Sequence, residues 1–395
     1  MKRVLFVDDE PNVLDGLRRM LYPLRCKWEM VFVASGREAL DRMAEREFDV
    51  LVTDLRMPEM NGIELLKEVV KLHPQVIRFV LSGTPELEVT LRSINLAHQF
   101  LAKPCDPSVL RGAFEQVFHF RIALGNPALR KLIAHVHSLP SIPGVYWKLV
   151  RALSAYEIST KEVAGIVSQD MSMVAKVLQL ANSACFGPSR EIADPEQAVI
   201  YLGTDMIKAL VLSAAAFSPF DPNALPGFSI DALQEHSLAV ATLARRIAKS
   251  LRLSRETVDE VFTGGLLHDL GKLAFAASFP QGYREIVACA ERDHETSGDA
   301  ELRRFDTTHA EVGSYLLWLW GLPDAVVNAV GYHHAPGRTE PGTSKVAVVV
   351  HAADALIRDP SGKILDMDCL ERLGLAANLP EWIGLRDGVT GVVEC

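Results

Sequence analysis

Val50-Leu51-Val52-Thr53-Asp54-Leu55-Arg56-Met57-Pro58-Glu59-Met60-Asn61-Gly62 runs from a short apolar, β-branched-rich stretch into an acid, a proline and a glycine. Such a run reads as a buried strand over 50–53 that stops at an aspartate. Four similar runs, at residues 3–7, 29–33, 78–81 and 99–102, alternate with helix-length amphipathic stretches, the pattern of a parallel sheet with covering helices. Particular polar residues follow these strands: Asp8 and Asp9 after the first, Asp54 after the third, Ser82 after the fourth and Lys103 after the fifth. Ligand sites of open α/β sheets form at the carboxyl ends of the strands, so these groups share one rim. Three clustered carboxylates repel one another and suit a hard cation such as Mg²⁺, while a lysine and a hydroxyl complete a phosphoryl site. Any one of them alone reads as an ordinary solvated loop residue.

The joint order, Asp8-Asp9, then Asp54 through Gly62, then Ser82-Gly83, then Lys103-Pro104, resembles the receiver domain of two-component response regulators across about residues 1–122. The resemblance implies a flavodoxin-like fold with a five-stranded parallel sheet. It further implies that Asp54 accepts a phosphoryl group from a sensor histidine kinase, that Asp8, Asp9 and Asp54 hold Mg²⁺, and that Ser82 and Lys103 contact the phosphoryl oxygens. Carboxylate attack suits a switch because an acyl phosphate is labile. By the same resemblance Lys103-Pro104 is a cis peptide and Phe100 is a mobile aromatic; an ordinary strand core residue is the alternative for Phe100.

Apolar residues at helical spacing over 107–123 predict a last receiver helix. Gly125-Asn126-Pro127 then breaks the pattern, and 129–136 reads as a connecting helix. The expected division is a receiver over 1–123, a helical linker over 124–138 and an output domain over 139–395. In that last part strand patterns nearly vanish, and helix-period segments follow at 145–153, 160–168, 172–181, 195–202, 206–217 and 229–251, which predicts an all-α domain. Ser159-x-x-Glu162 and Thr308-x-x-Glu311 read as capping boxes, with Pro195 and Pro323 early in helices.

Seven possible metal ligands occur in this half: His236, His268, Asp269, His309, His333, His334 and Asp354. Histidine with aspartate is a workable set for Zn, Mn or Fe, and an aspartate can bridge two ions. His98, His119 and His351 read as structural. His268-Asp269 puts an ionisable pair into an apolar stretch, which burial penalises unless the pair is matched, either by a cation or within a hydrogen-bonded dyad. The segments Leu139-Pro140-x-Ile142-Pro143, Val177 to Ser183, Gln197-Ala198-x-x-x-Leu202-Gly203, Gly265 to Lys272, and His309 through Trp320-Gly321-Leu322-Pro323 to His333-His334 resemble the HDOD branch of the HD superfamily, with an HD-like core over about 229–358. The resemblance to HDOD domains implies a signalling output without demonstrated catalysis. The ligand succession is also similar to the HD-GYP branch, which hydrolyses cyclic dinucleotides. Here, however, the paired histidines run into Ala335-Pro336-Gly337-Arg338 and the Asp-Gly-x-Gly-Tyr-Pro segment is absent.

The chain has 395 residues, of which 49% are hydrophobic and 23% charged, enough for two domains with real cores. Its net charge of −9 lies almost wholly in the output half: residues 1–124 carry 17 Lys and Arg against 18 Asp and Glu, leaving 24 against 32. An acidic half is a poor partner for a polyanion, so direct nucleic-acid binding is not expected. Six scattered cysteines suggest no disulfide framework, no apolar run reaches the roughly 18 to 20 residues of a membrane helix, and a cytoplasmic location is expected. Two readings follow. In the first, phosphorylation of Asp54 alters a non-enzymatic HDOD domain that binds a partner signalling protein, with homodimers forming through the receiver. In the second, the output domain is a metal-dependent phosphohydrolase: His236, His268, Asp269 and Asp354 hold one ion, Asp269 bridges to another held by His309 and His333 or His334, and Lys272 steadies a phosphate.

Overall fold

The structure is a computed structural model. It describes residues 2–82, 93, 96–105, 110–115, 139–141, 143–153, 158–183, 191–212, 217–219, 228–293, 295–338, 345–387 and 389. The expected linker over 124–138 and His119 lie outside the described residues, and the last receiver helix is described only over 110–115. The chain divides into two compact units, the smaller built on Met1–Ser138 and the larger on Leu139–Ala181 and Arg190–Cys395.

The smaller unit is a five-stranded parallel sheet of order β2-β1-β3-β4-β5, formed by β1 (Lys2–Val7), β2 (Trp28–Val33), β3 (Val50–Asp54), β4 (Ile77–Ser82) and β5 (Gln99–Ala102). This is the flavodoxin-like order. Val4 to Val7 and Val50 to Val52 are at most 1% exposed because β1 and β3 are central and covered on both faces, which is why their sequences do not alternate. Helices α1 (Pro11–Leu21), α2 (Gly36–Glu45) and α3 (Gly62–Leu72) start on recognisable signals: Pro11 in the first turn, the Ser35 hydroxyl accepting from the Glu38 N–H, and an Asn61/Glu64 capping box. Phe114 packs against Phe6, Trp28 and Phe79, which seats the helical residues 110–115 on the sheet. Phe100 is buried in the core on the other side of the same sheet.

The larger unit contains α4 (Pro143–Leu153), α5 (Thr160–Val167), α6 (Met171–Ala181), α7 (Pro195–Leu202) and α8 (Thr204–Leu212). There follow α9 (Ile230–Ser250), α10 (Arg255–Leu267), α11 (Leu270–Ser278), α12 (Pro280–Asp293), α13 (Ser297–Phe305), α14 (His309–Leu319), α15 (Asp324–Tyr332) and α16 (Lys345–Arg358), then α17 (Met367–Arg372) and α18 (Leu379–Arg386). It is mostly helical, as expected, with one addition: β6 (Leu139–Ser141) pairs in parallel with β7 (Phe217–Pro219). Of the helix expected over 206–217, the described part is Thr204–Leu212, and the last expected residue, Phe217, opens a strand. Both capping boxes form, and Pro323 stands at the N-cap of α15 rather than inside it. The main core joins α9, α10, Ala329 of α15 and α16, and Trp382 of α18, fully buried, closes it.

All eleven residues of α6 are buried, including Lys176, which is 2% exposed. Its ammonium donates to Gln179 Oε1 at 3.1 Å and lies 4.7 Å from the Trp320 ring centroid; neither partner is an anion. Burial pushes the Lys176 amine down to about 7. Above that pH the unfolded chain holds a proton that the folded chain has lost, so the cost of this group is full below pH 7 and fades as pH rises towards the ordinary lysine value. Lys176→Met is expected to stabilise the protein by a few kcal/mol at pH 6 and by little at pH 10, measured as the difference between urea unfolding curves of the two proteins across pH.

Candidate metal centre and phosphoryl site

At the carboxyl ends of the strands, β1 delivers Asp8 and Asp9 and β3 delivers Asp54, with side-chain oxygens all within 4.8 Å of one another. β1 and β3 are adjacent although β2 separates them in sequence, so this rim is the point where strand order reverses. Lys103, after β5, reaches Asp8 Oδ2 at 2.6 Å and Asp54 Oδ2 at 2.7 Å. Burial presses the Lys103 amine down, but its contacts with Asp54 and Asp8 outweigh this and raise it. Lys103-Pro104 is cis. Asp54 Oδ1 accepts the Leu55 N–H at 2.6 Å, leaving the carboxylate 13% exposed. A Cβ on Gly62 would stand 2.0 Å from the Asp54 carbonyl oxygen, so only glycine lets α3 begin against the loop that carries Asp54. Ser82 closes β4 beside Ala102 of β5; its side chain lies outside the described residues.

These seven histidines and aspartates of the helical unit converge from six helices or their ends. His236 comes from α9, His268 caps the C-terminus of α10, Asp269 stands at the N-cap of α11, His309 opens α14, His333 caps α15 with His334 after it, and Asp354 comes from α16. The His-Asp pair thus sits at a break between two helices rather than inside one. His236, His268 and Asp354 form one close group, His309, His333 and His334 a second, and Asp269 with His268 and His333 links them. Asp269 Oδ2 is 3.3 Å from His268 Nε2 and its Oδ1 is 3.3 Å from His309 Nε2. Gly271 makes this approach possible, since a Cβ there would lie 1.9 Å from the His309 carbonyl oxygen.

Three rings are oriented from behind. Nδ1 of His268 donates to the Gly265 carbonyl, Nδ1 of His333 to the Val330 carbonyl and Nδ1 of His309 to Glu301 Oε2, each at 2.7 Å. A carbonyl or carboxylate oxygen only accepts, so each Nδ1 carries a proton and Nε2 is the nitrogen turned inward, able to give a lone pair to a cation when the ring is neutral. His268 Nε2, His333 Nε2 and Asp269 Oδ1 are buried without a hydrogen-bond partner. Inward lone pairs with anchored rings and unsatisfied carboxylate oxygen are the donor set of a borderline divalent cation, and the residues fit one.

Charge is balanced locally. Burial raises the Asp269 carboxyl, but Lys272, at 2.8 Å, with His268 and His309, holds it well below the usual range. Burial likewise opposes, and His236, His268 and Arg358 overcome, for Asp354. Burial and the neighbouring rings push His333 well down and bring His334 to about 3. Among the described residues of this centre, His334, Arg358 and Lys272 are the side chains that reach solvent most, at 39%, 38% and 21% exposed.

Glu301, Tyr283 and Arg358 belong to this arrangement and were not singled out from the sequence, where nothing distinguishes them from surface residues of amphipathic helices. His351 is structural, as its reading had it: Nδ1 donates to the His333 carbonyl and Nε2 accepts the Asp366 N–H. A separate cleft of about 430 Å³ is lined by five acids, Glu191, Asp194, Glu256, Asp259 and Glu260, against one base, Arg255, a poor setting for phosphates.

A parallel sheet with this rim and a helical bundle with this His-Asp centre define a receiver joined to an HD-type output. The chain belongs to the HDOD family: the HDOD domain model matches residues 139–336, and the response regulator receiver domain model matches 4–115. An uncharacterized protein of Treponema pallidum (strain Nichols) is 25% identical over 222 residues, 54% of this chain and 41% of that one. Chemotaxis protein CheY of Thermotoga maritima is 35% identical over 120 residues, 29% of this chain and 97% of that protein. The MmoQ response regulator of Methylococcus capsulatus (23% identity, 62% of this chain and 98% of that one, TM-score 0.50) shares the fold. So does a virulence factor of Campylobacter jejuni (22%, 67% and 97%, TM-score 0.52). The chain spans less than half the length of the first curated relatives it matches. Its receiver places it in two-component response-regulator signalling.

Gly271→Ala should cost about 3 kcal/mol, the upper end of the usual range for overpacking, because the atom that must yield is backbone. Urea unfolding measures the loss, and a midpoint unchanged from the parent would contradict the packing described.

Proposed function

We propose that phosphorylation of Asp54 by a histidine kinase, with Mg²⁺ held by Asp8, Asp9 and Asp54, controls an output domain built around a two-metal centre that acts on a phosphoester. Receiver domains as a class use Mg²⁺, and the three clustered carboxylates with Lys103 beside them support that assignment here. Lys103, now paired with both Asp8 and Asp54, is placed to follow the charge onto a phosphoryl oxygen.

The observation that carries the output reading is the convergence of unpartnered His268 Nε2, His333 Nε2 and Asp269 Oδ1 among rings whose other nitrogens are already anchored. His236, His268, Asp269 and Asp354 would hold one Fe, Mn or Zn ion, and Asp269, His309, His333 and His334 a second. Bound there, such ions supply Lewis-acid polarisation of a phosphoryl oxygen and make water acidic near neutrality. Lys272 and Arg358, at the exposed edge, supply positive charge to receive an anionic phosphate. Burial of the remaining ligands keeps bulk water away from the centre.

A second reading, in which the output works through a protein partner without turnover, is favoured by the sequence after His334. The sequence there lacks the Asp-Gly-x-Gly-Tyr-Pro segment, and its described residues Pro336–Arg338 form a short turn.

Two experiments test this. With acetyl phosphate and Mg²⁺ the chain should take up one phosphoryl group and Asp54→Asn none, read by intact mass; equal labelling of both would sink the receiver assignment. Protein purified without chelator should contain about two equivalents of Fe, Mn or Zn, His268→Ala should lose one of them, and the loaded protein should hydrolyse a cyclic dinucleotide. Metal-free protein removes the centre, whereas metal without turnover selects the partner-binding reading.

A further inference from the structure

Two of the three anchored imidazoles rest on peptide carbonyls, but His309 rests on a carboxylate. Glu301 Oε2 accepts both the His309 ring Nδ1–H at 2.7 Å and its backbone N–H at 2.6 Å. Glu301 is fully buried on α13, and its other oxygen accepts the Tyr283 hydroxyl at 3.3 Å. The backbone bond also satisfies a free N–H in the first turn of α14, where negative charge is favoured.

The two groups of ligands differ in charge. His236, His268 and Asp354 have a carboxylate of their own and share Asp269, whereas His309, His333 and His334 have only the shared Asp269. A divalent cation in the second group is under-compensated by one negative charge. We propose that Glu301 is the positioning residue that corrects this: it fixes His309 with its Nε2 lone pair inward and, through the ring, lends the second metal position the missing charge. An anionic acceptor draws on the ring N–H more strongly than a carbonyl does, and so makes Nε2 the better donor. The inference rests on the two-metal centre proposed above and adds that its halves are held by different means.

Glu301→Gln separates charge from shape, because glutamine can keep an oxygen towards His309 and turn its amide towards the Tyr283 hydroxyl. The full chain, stripped of metal, is titrated with Zn²⁺ against a chromogenic chelator. Parent protein should show two sites. In E301Q one site should weaken by about 10- to 100-fold, the other should hold its affinity, and the urea midpoint of the metal-free protein should not move. His268→Ala should spare the site that E301Q weakens. Tyr283→Phe, which keeps the carboxylate and removes its other side-chain hydrogen bond, is the second variant should E301Q fail to fold; it should alter the same site only. Unchanged affinities at both sites, or equal losses at both with a lowered midpoint, overturn the role of Glu301 while leaving the centre standing. A parent chain that takes up no Zn²⁺ overturns both.

Discussion

Asp269 and Asp354 are 1% and 2% exposed inside a helical core, and a carboxylate there is tolerable only if positive charge is built around it. Much of the larger unit's architecture answers that demand. Lys272 and Arg358 reach in from one turn along the same helices. Apart from His236, which lies within α9, the histidines arrive from helix ends, where a break in the backbone lets a short side chain turn inward and, for His268 and His333, leaves nearby carbonyls to anchor the rings. Where the local charge is short, Glu301 stands behind a ring instead of beside the centre. The receiver solves a related problem on a smaller scale, with Asp8 buried and Lys103 bridging it to Asp54.

Both sites also need a backbone to come closer than a side chain allows. Gly62 lets α3 press on the Asp54 loop, and Gly271 lets α11 press on α14. In neither case does the glycine itself supply one of the clustered polar groups. Its role is to set the distance between the elements that carry them.

Much of this was legible in the sequence. The strands of the receiver were placed within one residue at each end, because β-branched runs bounded by polar residues have few other solutions. The seven histidines and aspartates that converge in the larger unit stood out because such residues are conspicuous in apolar surroundings. What escaped was whatever depends on the far side of a contact. Glu301 lies in Ser297–Phe305, a helix in which four of nine residues are charged, and only tertiary packing makes it the most buried acid of that stretch. The short β6–β7 pair joins segments about eighty residues apart, a distance over which local pattern carries no information. The helix expected to end at 217 failed for the same reason: Phe217 satisfies a helical period but is claimed by a strand partner.

Lys176 and Gln179 mislead in the opposite direction, since a lysine and a glutamine three residues apart mark a wet stripe on most helices, yet α6 has none. Eleven consecutive positions from Met171 to Ala181 are enclosed. For evolution this segment is unlike its neighbours. An ordinary surface helix can exchange half of its residues with little consequence, whereas here every substitution meets packed atoms on all sides. Change in α6 must therefore come in compensated pairs, and its drift over time should be slower than that of any amphipathic helix in the same chain.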